Sequence, residues 1–196
     1  MTEWHKYFEV KTGDVVVDLG AYIGETTHYY SQKVGSSGVV IALEPDAVNF
    51  GFLYNLVIKK NITNTYVLMM GIAKETGKTY LNIGGANAHS TILSGRRFYG
   101  KRVVPVISWD DLVESLTLPK VDICKINVEG AELECFEGMT KTFPDKILVD
   151  VHHRFGVDVN YFKQLITDRG YRILDCKSSA PNEGIVNNLF YAVREN

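Results

Sequence analysis

The chain has 196 residues, 45% of them hydrophobic, and a formal net charge of −2. That length predicts one domain spanning residues 1–196, large enough to fold without disulfides or a structural metal. The near-neutral balance, free of long charged runs, speaks against nucleic acid or an anionic membrane as partner, and no apolar run approaches the ~18 residues of a membrane span.

Residues 1–12 form a polar, aromatic N-terminal segment (Trp4, His5, Tyr7, Phe8) without the apolar stretch of a signal peptide. Val15 to Val17 is a β-branched run that reads as a strand buried on both faces, as in a parallel sheet. Glu25 to Val34 is expected to form a helix ended by Gly35 to Gly38. Val39 to Leu43 is a second buried strand, followed by an amphipathic helix over Asp46 to Lys59 with Val48, Phe52 and Leu56, joined by Leu53, on its inner face. Tyr66 to Ile72 is a third strand. This β-α-β-α-β opening predicts an α/β, doubly wound fold, a mostly parallel sheet with helices on both sides.

Lys78 to Ile83 and Val103 to Ile107 also read as strands. Residues 84–100 between them are rich in Gly, Ser and Asn and are expected to form a long surface loop, carrying Asn87, His89, Ser90 and Thr91. The basic residues Arg96, Arg97, Lys101 and Arg102 are read as solvated. The alternation then resumes with a short helix over Asp110 to Leu116, a strand over Val121 to Val128, a helix from Glu132 to Gly138 and a strand over Lys146 to Val151. A helix over Val157 to Arg169 stops at Gly170, and two closing strands, Tyr171 to Cys176 and Leu189 to Arg194, flank a turn-rich link suited to a hairpin. Cys124, Cys135 and Cys176 show no metal-ligand or C-x-x-C spacing, so a reducing, cytoplasmic setting is expected.

The first strand ends in Asp18-Leu19-Gly20-Ala21-Tyr22-Ile23-Gly24 and runs into a helix. In open α/β sheets ligands bind at the carboxyl ends of the strands, and glycines there let backbone approach a ligand closely. The glycine spacing departs from the dinucleotide pattern G-x-G-x-x-G, and an acid just before the glycines would repel a pyrophosphate. Asp18 can instead accept hydrogen bonds from an ammonium group, which favours a cationic ligand such as S-adenosylmethionine over NAD. Glu44, at the end of the second strand, offers two acceptor oxygens for the two hydroxyls of a ribose. Pro45 follows it, and Asp46 is placed to cap the next helix.

Lys125-Ile126-Asn127-Val128-Glu129-Gly130-Ala131-Glu132 resembles the Lys-Ile-Asp-Val-Glu-Gly-Ala-Glu signature of the FkbM family of methyltransferases. The turn from Asp18 to Gly24 resembles that family's Asp-x-Gly-Ala-Asn-x-Gly turn. Val106 to Leu112 resembles its strand-then-helix lead-in, and Phe136 to Met139 resembles the end of its motif helix. The resemblance implies a class I, Rossmann-like methyltransferase fold: a seven-stranded, mostly parallel sheet with an antiparallel last strand. It also implies S-adenosylmethionine as cofactor and methylation of a hydroxyl on a small metabolite or glycan. By this reading Asp18, Gly20, Ala21, Tyr22, Gly24, Glu44 and Pro45 bind the cofactor. Two positions depart from the pattern: Asn127 stands where Asp is usual, removing a carboxylate, and Tyr22 stands where Asn is usual, altering the pocket wall.

Removal of the acceptor's proton is expected to fall to residues at the ends of the fourth and fifth strands: His152, Glu129, Asp150 and Asn127. His152 titrates in the range suited to a base, with His153 beside it. Glu129 alternatively satisfies backbone donors in the turn at Gly130. No metal is assigned, although Asp150, Asn127 and Glu129 are oxygen ligands of the type Mg²⁺ prefers. Other readings of the same sequence are a methyltransferase acting on RNA or protein, and a cofactor-binding subunit without catalysis, the latter favoured by Asn127. Neither oligomeric state nor acceptor identity is encoded in these motifs.

Overall fold

The computed structural model describes residues 8–83, 100–152, 158–179 and 187–195. Trp4, His5, Tyr7, most of the loop at 84–100 with Asn87, His89, Ser90, Thr91, Arg96 and Arg97, and His153 lie outside the described residues.

The chain opens with β1 (Val15–Leu19), α1 (Glu25–Val34), β2 (Val39–Leu43), α2 (Ala47–Lys59) and β3 (Thr65–Leu68). Then come β4 (Gly71–Ile72), β5 (Gly77–Ile83), β6 (Gly100–Ile107), α3 (Trp109–Ser115) and β7 (Ile123–Ile126). It closes with α4 (Glu132–Glu137), β8 (Lys146–His152), α5 (Val159–Asp168), β9 (Tyr171–Ser179) and β10 (Asn187–Arg194). Seven strands form the main sheet in the order β3-β2-β1-β7-β8-β10-β9. The pairs from β3 to β8 are parallel, and β10 is antiparallel to both its neighbours. The predicted sheet, including its antiparallel last strand, is the observed one.

Alternate strand residues feed two cores, as the pleat requires. Val17, Leu19, Ile41, Cys124 and Val149 face α3, α4 and α5 through Trp109, Leu112, Phe136 and Phe162. Val16, Val40, Ile123 and Leu148 face the opposite side, under α1 and the entering Phe8 and Val10. Helix α1 buries Thr27, Tyr30, Ser31 and Val34, one stripe at helical spacing, and is bounded by Gly24 and Gly35, both at positive φ.

Two expectations are corrected. The third predicted strand, Tyr66 to Ile72, is two strands. Met70 N donates to Leu68 O at 3.0 Å, a tight bend, and Gly71–Ile72 leave the main sheet to pair with β6. With the β5–β6 hairpin they build a separate three-stranded sheet, order β4-β6-β5. The second correction concerns α2. Its inner face is Leu53 and Val57, packed on Ala21 and Ala42, whereas Val48 and Phe52 are 62% and 60% exposed. Apolar residues encircle this helix, so periodicity alone could not choose the buried stripe. Asp46 caps it as expected, accepting from Val48 N at 2.8 Å and Asn49 N at 3.3 Å.

Asp110, within the lead-in segment, locks α3 to the chain after α4. Its carboxylate accepts from the backbone N–H groups of Thr140, Lys141 and Thr142 and from both threonine hydroxyls. Burial pushes its carboxyl up, but the bonds from Thr140 and Thr142 outweigh that and leave it below its usual 3.8. Stability from a depressed carboxyl is present above the unfolded value and lost as pH falls through the folded one. Asp110→Ala is therefore expected to lower stability by about 3 kcal/mol in urea denaturation at pH 7, with the difference from wild type shrinking below about pH 4.

Candidate active site

The strand order reverses at β1, where the chain steps outward to β2 and β3 and later returns to β7 on the other side. A crevice at the carboxyl ends of the strands is expected at such a switch point. The cavity there has three walls. Gly20, Ala21 and Tyr22 form the first; Glu44, Pro45 and Asn49 the second; Lys125, Asn127, Val128 and Glu129 the third. Met70, Gly71, Ile72 and Leu81 add an apolar side contributed in part by the small sheet.

The glycine turn is held from within. Gly20 N and Ala21 N both donate to Leu43 O at 3.0 and 2.9 Å, Tyr22 N donates to Glu44 Oε2 at 2.9 Å, and Gly24 N donates to Ala21 O at 2.9 Å. These four N–H groups are therefore spent within the protein and are not offered to a phosphate. The glycines are required for a different reason than ligand approach. Gly20 has φ 73, and a Cβ there would lie 1.9 Å from Asn127 O; Gly24 has φ 94, and its Cβ would meet Leu53 and Leu56. Tyr22 sits at φ 54, left-handed backbone that Asn tolerates and Tyr does not favour. The departure from Asn at this position therefore strains the turn as well as altering its wall.

Asp18 does not line the cavity. It is fully buried, paired across the β1–β7 register with Lys125, whose Nζ donates to Asp18 Oδ1 at 2.7 Å and to Gly20 O at 2.9 Å. Thr27 Oγ1 donates to Asp18 Oδ2 at 2.7 Å. Both carboxylate oxygens are thus occupied by protein donors, one of them the cavity-lining Lys125. The sequence signal for this role is a lysine inside an otherwise apolar strand run. The apolar side at Met70 to Ile72 and Leu81 has no such signal, because it depends on the small sheet.

Glu44 is buried at the cavity wall. Besides Tyr22 N, it accepts from Asp46 N at 3.0 Å and from Asn49 Nδ2 at 3.4 Å. Burial raises its carboxyl from 4.5 to about 7, against the opposing hydrogen bonds from Asp46, Tyr22 and Asn49. Asn127 Oδ1 is a buried acceptor without a donor among the described residues.

At the carboxyl ends of β7 and β8 a histidine lies among carboxylates. His152 is buried and does not line the cavity. Its Nδ1 meets Glu132 Oε1 at 2.8 Å, and its Nε2 meets Glu129 Oε1 at 3.3 Å and Asp150 Oδ2 at 3.9 Å. Burial lowers the His152 imidazole, but Glu132 first and then Asp150 outweigh it, so the group stands above its usual 6.5. Glu129 reaches the cavity from a left-handed residue, φ 53, so Asn127 and Glu129 do not share the face of one extended strand. The turn donor at Gly130 is satisfied by Glu132 Oε1 at 3.1 Å, not by Glu129. Among the described residues, no group of three His, Cys, Asp or Glu is arranged to hold a metal ion. Among them too, no helix is long and apolar enough to cross a membrane.

The sequence profile of the methyltransferase FkbM domain matches residues 18–173. The chain is 29% identical over 160 residues to the hexuronic acid methyltransferase AglP of Haloferax volcanii, covering 82% of this chain and 64% of that protein. Methyltransferase FkbM from Methylobacillus flagellatus KT superposes with a TM-score of 0.66 at 19% identity, over 94% of this chain and 45% of that one. Fibrillarin from Aeropyrum pernix, crystallised with natively bound S-adenosyl-L-methionine, superposes at 0.61 and 16% identity, over 95% and 69% of the two chains. At these identities the structural likenesses establish the fold. The chain spans less than two thirds of the length of AglP (64%) and of the Methylobacillus protein (45%).

Proposed function

Because the chain belongs to the methyltransferase FkbM domain family, we propose that it is an S-adenosylmethionine-dependent methyltransferase acting on a hydroxyl oxygen of a small metabolite or sugar. One observation carries this: the cavity has an acid on either side of β1, Glu44 and Glu129, and between them a turn whose Gly20, Ala21, Tyr22 and Gly24 N–H groups bond within the protein. Such a site suits a nucleoside with a positive charge and no phosphate. The hexuronic acid named for the Haloferax relative supports a sugar as acceptor.

The residues present fit this ligand. Glu44 would take the ribose hydroxyls, and Pro45, Met70, Ile72 and Leu81 would pack the adenine. Asn127 Oδ1, the acceptor left without a donor among the described residues, would receive the ammonium group, the role the sequence assigned to Asp18. When bound, S-adenosylmethionine supplies an electrophilic methyl group: its sulfur–carbon bond breaks as the oxygen–carbon bond forms, and the acceptor's hydroxyl loses its proton. Glu129 is the carboxylate on the cavity wall that takes this proton. His152, held by Glu132, positions Glu129 from behind, with Asp150 beside it.

Calorimetry with S-adenosylmethionine, S-adenosylhomocysteine and NAD tests the assignment. Both sulfur ligands are expected to bind and NAD not to; tight NAD binding with no response to either sulfur ligand overturns it. Glu44 adds a pH signature. Its raised carboxyl, about 7, means the unliganded fold holds a proton there that the unfolded chain releases near 4.5. This contribution to the stability of the unliganded protein is present at low pH and lost as pH rises through about 7, whereas ribose hydroxyls bind the ionised form. Affinity for S-adenosylmethionine is therefore expected to weaken by about tenfold per pH unit below 7. A labelled-methyl screen over hydroxyl-bearing sugars, uronic acids included, then identifies the acceptor class.

A further inference from the structure

Resting on the cofactor reading above, we infer that the carboxylate cluster at the carboxyl ends of β7 and β8 makes this cavity select cationic S-adenosylmethionine over the uncharged thioether of its product, S-adenosylhomocysteine. Glu129, Glu132 and Asp150 surround one imidazole, at 3.3, 2.8 and 3.9 Å, so acidic side chains outnumber the basic one three to one. Glu129, Glu132 and His152 are all buried, where charge is poorly screened and acts over several ångströms.

The position of the cluster matters as much as its sign. β2, β1 and β7 are adjacent, so the strand ends that lead into Glu44 and Glu129 stand about two strand spacings apart, roughly 10 Å. A nucleoside whose 2′ and 3′ hydroxyls met Glu44 would have its 5′ substituent on the side away from that acid, where Asn127 and Glu129 line the cavity. The cation among the described lining residues, Lys125, is paired with Asp18 at 2.7 Å, so its charge is locally cancelled. Glu25, also on the lining, is exposed and screened by solvent. The field at the far end of the cavity is therefore set by the cluster. The two ligands share adenine, ribose, ammonium and carboxylate, and differ only in the methyl group and the charge it confers on sulfur.

The test is the ratio of dissociation constants for S-adenosylhomocysteine and S-adenosylmethionine, measured by calorimetry at pH 8. It is taken on wild type, Glu129→Gln and Asp150→Asn, with sinefungin, which carries an ammonium group near the sulfonium position, as a third probe. Wild type is expected to favour S-adenosylmethionine. Glu129→Gln is expected to reduce the ratio by about tenfold, chiefly by weakening S-adenosylmethionine, with sinefungin following the sulfonium. Asp150→Asn is expected to reduce it in the same direction by less. An unchanged ratio in both variants, or parallel weakening of both sulfur ligands, overturns the inference while leaving the cofactor assignment standing. Absence of binding by either sulfur ligand to wild type sinks both. Should Glu129→Gln fail to fold by circular dichroism, the ratio in Asp150→Asn decides.

Discussion

Lys125→Met is expected to lower the stability of the protein by about 3–5 kcal/mol and to abolish cofactor binding at concentrations where the fold persists. Lys125 and Asp18 are both buried, and removing the cation leaves an uncompensated carboxylate in the core with, among the described residues, the Thr27 hydroxyl as its remaining donor. It also deprives Gly20 O of its donor, loosening the turn that forms one cavity wall. Denaturant titration of Lys125→Met and of the double variant Asp18→Asn, Lys125→Met separates these effects. The double variant should recover part of the loss, because it removes the stranded charge, yet should still bind cofactor weakly. A single variant as stable as wild type would show that Asp18 does not depend on Lys125 for compensation.

Gly20→Ala is expected to be at least as damaging. Its Cβ would fall 1.9 Å from Asn127 O, a backbone atom that cannot swing aside, and φ 73 disfavours any side chain. Relief requires β1 and β7 to separate at the mouth of the cavity, costing more than about 4 kcal/mol, a large part of the stability of a typical domain. Gly170→Ala is the internal comparison. It shares a positive φ of 78 but has nothing within 4 Å of its Cβ among the described residues, so it should cost only about 1–2 kcal/mol of backbone strain. Melting temperatures for the two variants, taken together, separate the steric contact from the backbone preference; equal losses would remove the contact as the cause.

Some parts of the site were legible in the chain because they are local. Gly24 and Gly35 bound α1, Asp46 caps α2, and Glu44 follows directly on the second strand, all within a few residues of the signals that mark them. The position of Asn127 and Glu129 at the end of a strand was likewise readable, and the cavity does bring both beside Ala21, Tyr22, Glu44 and Pro45. Less legible were the directions of side chains. Asp18 was expected to face a ligand, yet the pleat turns it into the core beneath α1, where Thr27 and Lys125 are waiting. His152 was expected at the surface of the site as its base, and it stands behind Glu129 instead. The turn at Gly130 is satisfied by Glu132, two residues on, because Glu129 adopts left-handed backbone and swings toward the cavity.

By itself the sequence determined the order of strands and helices, the parallel character of the sheet, the two acids and the glycine turn at the strand ends, and the family. Periodicity, caps and glycine positions are written into neighbouring residues, and they survive any rearrangement elsewhere. Only the tertiary structure decided which stripe of α2 is buried, that Gly71–Ile72 desert the main sheet, and that Lys125 answers Asp18 across the β1–β7 register. Those outcomes depend on contacts between residues far apart in the chain, where one step of strand register or one turn of a helix changes every partner. The glycine turn shows both at once: its left-handed backbone was implied by its glycines, but the atom that forbids a side chain at Gly20 belongs to Asn127, more than a hundred residues away.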